Sequence, residues 1–304
     1  MNDSYPVLQI SPEWISHPEE MGSKTKFWYR NKDDHTSTSE VDENLWLFKF
    51  PQPYTGQHWA EKIAAEVALV LGIRHARVEL AEFQGTRGSA TQSFVRNGSS
   101  LYHGNQVLQG VVHGYDPEQR FHQSSHTLHN IYSAMNAIFS EQEAAGLARN
   151  LITDYVLLDA VIGNTDRHHQ NWGILRKRVG NTWKDSVAPS FDHASSLGRE
   201  LVDDRRDRYL ADNRVGAYAE RGRGAIYWSE GDRHGLSPLE LVRRGTGAHP
   251  GLFLPTLSKL EKISDGAVTR LLDRIPRCWM SRTARSFVLA LMCYNLQELR
   301  KLVP

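Results

Sequence analysis

Cysteine is almost absent: Cys278 and Cys293 are the only two in 304 residues. Two thiols cannot build a disulfide framework or a Cys-rich zinc site, so a reducing, cytoplasmic setting is expected. Both are expected to be buried structural thiols, since free cysteine behaves as a small hydrophobe. An excess of one charge is also missing. Lys and Arg number 36 against 35 Asp and Glu, a formal net charge of +1, which gives no reason to expect direct nucleic-acid or membrane binding. No window approaches the roughly 20 apolar residues of a membrane span. The N-terminal MNDSYPVLQISPEW lacks the basic and apolar regions of a signal peptide. Repeats and low-complexity tracts are absent too. What is there, 40% hydrophobic and 23% charged residues, is an ordinary globular composition, in a chain long enough for two lobes around a cleft.

Residues 1–110 read as strand-rich with one helix. FWY at 27–29 and LWLFKF at 45–50 are runs of strand length. In HWAEKIAAEVALVLGI the period changes: Trp59, Ile63, Val67, Val70 and Leu71 share a helical face, and Gly72 sits where a helix would stop. Strands are expected again at 78–83 and 92–95. From about residue 111 the pattern turns helical, with Leu147, Leu151, Tyr155, Leu158 and Ile162 spaced by three and four up to Gly163. The polar loop NTDRHHQN follows, then a hairpin of WGILRKR, a Val-Gly-Asn turn and TWKDSVAPSFD. Residues 198–250, rich in Arg, Asp and Gly, read as an irregular excursion. Two helices end the chain, one from Ser264 to before Pro276 and one capped by Ser281.

The chemistry concentrates in Asp166, Asn171 and Asp192. The first two lie five apart in a loop that closes a helix and precedes a strand, and Asp192 ends the hairpin that begins just after Asn171. A closed hairpin brings its outer ends together. That supplies two oxygen ligands for one hard cation such as magnesium, with a third carboxylate beside them. Protein kinases use the same order: a loop Asp accepts the hydroxyl proton, and an Asn five residues on and a later Asp hold the metal. The plainer alternative is a polar turn in which Asn164 and Asp166 cap the backbone. A second alternative makes His168 and His169 transition-metal ligands, although adjacent histidines rarely face one way.

The run Asn164-x-Asp166-x-His168-x-x-Asn171, followed by Pro189-x-Phe191-Asp192, resembles the signature of HipA-like bacterial serine/threonine kinases. These are distant relatives of protein kinases and of phosphatidylinositol 3/4-kinases. The resemblance runs from about Gly22 to Val303. It implies an α+β, bilobal kinase-like fold, a strand-rich lobe at 1–96 and a mainly helical lobe at 97–304. It makes Asp166 the catalytic base, Asn171 and Asp192 magnesium ligands, and His168 the family's loop histidine. In the small lobe, Lys49 would reach the ATP phosphates from its strand, held by Glu61; Glu66, roughly opposite on the helix, is the rival partner. Met21-Gly-Ser-Lys-Thr-Lys26 resembles the family's phosphate loop, with Gly22, Ser23, Lys24 and Lys26 covering phosphates. QSFVRNG at 92–98 is the expected hinge, where Ser93, Phe94 and Val95 would meet the adenine. Positions 18–21 (Pro, Glu, Glu, Met) depart from the family pattern by offering no regulatory serine just before Gly22. Arg199, Arg205, Arg206, Arg208, Arg214, Arg221 and Arg223 follow Asp192, where substrate binds in kinases; a solvated charged loop explains them equally well.

The expected function is an ATP- and Mg2+-dependent kinase acting on a protein serine or threonine. The resemblance also leaves room for an antitoxin-type regulator. A nucleotide-binding pseudokinase is the alternative from another class, and a lipid or small-molecule kinase is the alternative on the same machinery.

Overall fold

The structure, a computed structural model, describes residues 4–19, 25–31, 44–96 and 98–304. Strands β1 (Val7–Ile10), β2 (Ile15–Pro18), β3 (Lys26–Arg30), β4 (Leu45–Lys49), β5 (Val78–Phe83) and β6 (Thr86–Gln92) form one sheet in the order β1-β5-β6-β4-β3-β2. Only β1 and β5 pair in parallel. Alternation along β4 sets the site. Trp46 and Phe48 enter an apolar cluster with Phe27, Tyr29 and Phe83. Leu47 and Lys49 fall on the opposite face, in register with Thr91 and Ser89 of β6.

Helix α1 (Gln57–Leu71) packs on β5 and β6 with Trp59, Ile63, Val67 and Leu71 buried, the stripe its spacing predicts. It ends at Gly72, whose φ of 70° places it in the left-handed region and whose N–H caps Ala68 and Leu69. Strand β6 replaces the strand expected at 92–95. Its RGSATQ shows no alternation of bulky residues because it is pressed between packed faces: a Cβ on Gly88 would come within 2.5 Å of the Phe48 ring.

The remainder is mainly helical: α2 (Gly104–Gln109), α3 (Leu128–Ile138), α4 (Gln142–Ile162), α5 (Asp203–Ala211), α6 (Val215–Arg221), α7 (Pro238–Ala248), α8 (Pro250–Leu257), α9 (Asp265–Asp273) and α10 (Arg282–Arg300). Ser264 and Ser281 cap α9 and α10 through their side chains, as expected. In α4 the buried positions near the start are Ala145, Ala148 and Ile152, so Leu147 faces solvent. The hairpin is present as β8 (Gly173–Val179) and β9 (Thr182–Val187), joined by β7 (Ser99–His103) into a second, antiparallel sheet.

Two expectations are corrected. The segment 198–250 is not irregular but carries α5, α6 and α7. Its few apolar residues suffice because Leu201 and Val215 meet Phe287 and Leu291 of α10, while Arg206 is buried against the Trp59 ring and pairs with Asp203. The cysteines are not both buried: Cys278 is exposed and Cys293 half-buried. Among the described residues no helix is long and apolar enough to cross a membrane.

Candidate active site

The end of α4 shapes the loop that carries Asp166. Gly163 (φ 63°) caps the helix by donating to Asp159, and Asn164 folds the chain back. Its amide N donates to Asp159 Oδ1 at 2.7 Å and its Oδ1 accepts the Asp166 N–H at 3.1 Å. Arg167 is the centre of the loop. Its guanidinium grips both oxygens of Asp159 at 2.7 and 2.8 Å, and donates to Asn171 O at 2.7 Å and Ser190 Oγ at 3.0 Å. Arg167 and Asp159 are both buried, a paired and fully bonded charge in a place where an unpaired one would be costly. With Arg167 turned inward, the Asp166 side chain is left one-third exposed (33%) on the wall of a cavity of about 520 Å³.

Asn171 lies across the same loop. Its amide nitrogen donates to the Asp166 carbonyl at 2.7 Å, which leaves Oδ1 as the atom it can offer a cation. Asp192 follows β9 with φ 58°, a left-handed conformation that Asp tolerates better than most residues. Such a conformation persists where surrounding contacts enforce it. One contact is Lys49, whose ammonium donates to Asp192 Oδ1 at 3.0 Å and to Glu61 Oε1 at 2.8 Å. Ser89 donates to the other Glu61 oxygen at 2.7 Å, so the fully buried carboxylate has both oxygens bonded. Burial opposes the Lys49 charge, but Asp192 and Glu61 outweigh it and hold its pKa above the ordinary lysine value. Glu66, the rival partner, pairs with Lys62 at 2.6 Å.

His168 is buried, and burial followed by the nearby Arg120 pushes its imidazole down to about 3. Its Nε2 lies 3.8 Å from Asp166 Oδ1. His169 turns away with its ring at 89° to that of His168, and its Nδ1 meets the Tyr115 hydroxyl at 2.9 Å. Among the described residues no three His, Cys, Asp or Glu side chains cluster as a metal site, so the two histidines gain no support as a transition-metal pair.

A second cavity of about 200 Å³ adjoins the first. Trp28, Leu47, Phe94, Val95, Leu101 and Phe191 make its apolar end, and Lys49, Asn171 and Asp192 its polar end. Ser93 lines it, but its N–H is taken by Leu45 O at 2.8 Å as the sheet ladder runs on. Lys26 lines both cavities. Gly22, Ser23 and Lys24 lie outside the described residues. Of the Arg-rich stretch, Arg199 and Arg223 line the larger cavity. Sequence reasoning missed Arg167, Asp159, Ser89 and Arg120. An acid in the last turn of α4, eight residues before an arginine in the following loop, was the available signal for the first pair.

Lys49 and Glu61 are expected to act as a unit. Lys49→Ala and Glu61→Ala should each lower phosphoryl transfer, with the double variant little worse than the more damaging single change. That corresponds to a coupling of about 1 kcal/mol or more in a double-mutant cycle. Fully additive losses would show that the 2.8 Å contact has no functional consequence.

The whole chain is similar in fold to kinases of known structure. Over 97% of its length it superposes on 98% of the Helicobacter pylori proinflammatory kinase CtkA, with a TM-score of 0.75 at 17% identity. It also superposes on 68% of Shewanella oneidensis MR-1 HipA, solved with HipB and operator DNA as a toxin–antitoxin system, with a TM-score of 0.54 at 15% identity. At such identities the likeness establishes the fold, the α+β kinase-like architecture expected from the sequence. None of the curated proteins compared with the chain matches it. The HipA-like C-terminal domain matches residues 21–225, and with the fold in agreement the chain belongs to the HipA-like C-terminal domain family.

Proposed function

We propose that the protein is an ATP- and magnesium-dependent kinase that phosphorylates a serine or threonine of another protein. The observation that carries this reading is the Lys49 ammonium, bonded at once to Glu61 of α1 and to Asp192, beside a loop that presents Asp166 to open space. Phosphoryl transfer asks the protein mainly for position and charge. Lys49 would hold the α- and β-phosphates. Adenine would lie in the apolar end of the smaller cavity, where its contacts fall to Phe94 and Val95 because the Ser93 N–H is already engaged. Asp166 would accept the proton of the acceptor hydroxyl in the larger cavity, with His168 shaping the loop around it.

Magnesium fits the residues present. Asn171 Oδ1 is turned to offer an oxygen, and Asp192, held by Lys49 through Oδ1, brings a carboxylate to the same cavity. Oxygen donors of this kind suit a hard cation that keeps several waters. When bound, the ion would neutralise phosphate charge. The lobes would divide near residue 96, with 22–26 covering the phosphates. Paucity of cysteine supports a cytoplasmic location. HipA, one of the structural relatives, is solved with HipB, which supports an antitoxin-type regulator as partner.

Incubating the purified protein with labelled ATP and magnesium, with and without a cell lysate, tests the reading. Label on a protein serine or threonine supports it; label confined to lipid or small molecules moves the acceptor class, and nucleotide binding without transfer leaves a pseudokinase. Asn171→Ala and Asp192→Asn should each weaken magnesium-dependent ATP binding, because each removes or discharges an oxygen ligand. Calorimetric titration with and without magnesium reads this, and an unchanged magnesium dependence in both variants overturns the ligand assignment.

A further inference from the structure

Arg120 stands where the two cavities meet, lining both together with Lys26, Lys49, His168 and Asp192. It comes from the connection between α2 and α3, a segment with no motif of its own. That connection is held in place by its own polar groups: Asn105 donates to Pro117 O at 3.1 Å and Gln123 to Asp116 O at 2.9 Å. The guanidinium is therefore carried on an anchored loop. The guanidinium itself lies over an aromatic face, with Cζ 5.3 Å from the centre of the Phe121 ring.

The hydrogen bonds of this guanidinium do not close. Its terminal nitrogen lies 2.8 Å from His168 Nε2. The other ring nitrogen, Nδ1, lies 3.1 Å from the Gln170 backbone N–H. Both neighbours are obligatory donors. A neutral imidazole has one lone pair in its ring plane and an imidazolium has none, so His168 cannot accept from both, whatever its protonation state. At least one of the two approaches brings N–H against N–H. Arg120 Nε is buried and has no acceptor, and among the described residues no carboxylate pairs with the guanidinium. A buried donor left without an acceptor is costly, and here two donor positions of one cation are badly served side by side.

We propose that Arg120 is a catalytic residue whose true acceptor is an anionic, tetrahedral oxygen group at the cavity junction: the phosphoryl group being transferred. This rests on the kinase reading above. In the reaction a bond forms between the acceptor hydroxyl oxygen and the γ-phosphorus as the bond from that phosphorus to the ADP oxygen breaks. The electron pair leaves on ADP, and the hydroxyl proton goes to Asp166. Charge spreads over the three peripheral oxygens of the group in transit, and a guanidinium with planar, paired donors suits them. When Arg120 moves to those oxygens, His168 keeps its bond from Gln170 and its Nε2–H is free to face Asp166, now 3.8 Å away. One movement relieves both mismatches.

The test separates the transferring group from the rest of the nucleotide. Arg120→Ala and Arg120→Lys are titrated calorimetrically, with magnesium, against ADP and against a non-hydrolysable ATP analogue, and assayed for transfer. In Arg120→Ala the ADP affinity should stay within about twofold, while affinity for the analogue falls about tenfold, as loss of a charge-assisted bond predicts. Transfer should fall by on the order of 10²–10³, the cost of removing one preorganised donor, with partial recovery in Arg120→Lys. Equal losses for ADP and the analogue, or near-normal transfer, would overturn the proposal. Should Arg120→Ala fail to fold, the lysine variant alone decides: full activity with unchanged selectivity sinks it. If the wild-type protein binds neither nucleotide, the kinase reading fails instead, so the two failures look different.

Discussion

Asp166→Asn is expected to lower phosphoryl transfer by on the order of 10²–10⁴, the usual contribution of a positioned general base, and to leave fold and nucleotide affinity nearly unchanged. Asparagine keeps the size of the side chain and the backbone bonds of the loop: the N–H of residue 166 donates to Asn164 Oδ1 and its carbonyl accepts from Asn171. The side chain itself lies at the cavity wall. The substitution removes the capacity to take a proton. The measurements are steady-state transfer and ATP titration on a variant whose melting temperature matches the wild type. Turnover close to wild type at equal folding would remove Asp166 from the role of base. A parallel loss of ATP affinity would mean that the residue holds nucleotide instead.

Arg167→Ala is expected to cost about 3–5 kcal/mol of folding stability, the range for removing one partner of a buried ion pair. Asp159, 4% exposed, would be left charged, with only Asn164 as a side-chain partner. The pair is bidentate, and the same guanidinium also ties the Asn171 carbonyl and Ser190 together. Urea unfolding reads the loss. A double variant, Asp159→Asn with Arg167→Ala, should recover part of it, because no unpaired charge is then buried. A loss below about 1 kcal/mol for Arg167→Ala would place the pair among those of little net worth. Arg167 touches neither cavity and is a positioning residue. Arg167→Lys should therefore keep part of the stability, yet misplace Asn171 and shift the magnesium dependence of ATP binding.

Much of this architecture was readable where apolar periodicity is strong. The stripe of α1 and the caps of α9 and α10 lie where the sequence places them, and β5 has the expected limits of 78–83. The hairpin of β8 and β9 follows from its Gly180 turn. Legibility failed where burial is achieved without bulk or with charge. The buried stretch of β6, residues 88–91, is made of small residues, and α5 has one buried residue, Arg206. Strands β1 and β2 are four residues each, too short for a period to declare itself. At the site, the sequence singled out Lys49, Asp166, Asn171 and Asp192, which the fold gathers on the walls of the two cavities. It did not reveal Arg167, Ser89 or Arg120, whose partners lie 8, 28 and 48 positions away. The two longer separations are set by the fold alone.

The bond between Lys49 and Asp192 has a thermodynamic consequence. Each of these groups is partly engaged by the other before any proposed ligand arrives: the ammonium holds one oxygen of the carboxylate, and the carboxylate holds one donor of the ammonium. The proposed metal and nucleotide would therefore face a common competitor inside the protein. Whichever arrives first removes half of that competitor and leaves the other half exposed for the second. Their binding free energies would be coupled with the same sign, and by reciprocity each would raise the affinity for the other by an equal factor. The 3.0 Å ion pair would then be a latch that favours the joint arrival of metal and nucleotide over either one alone.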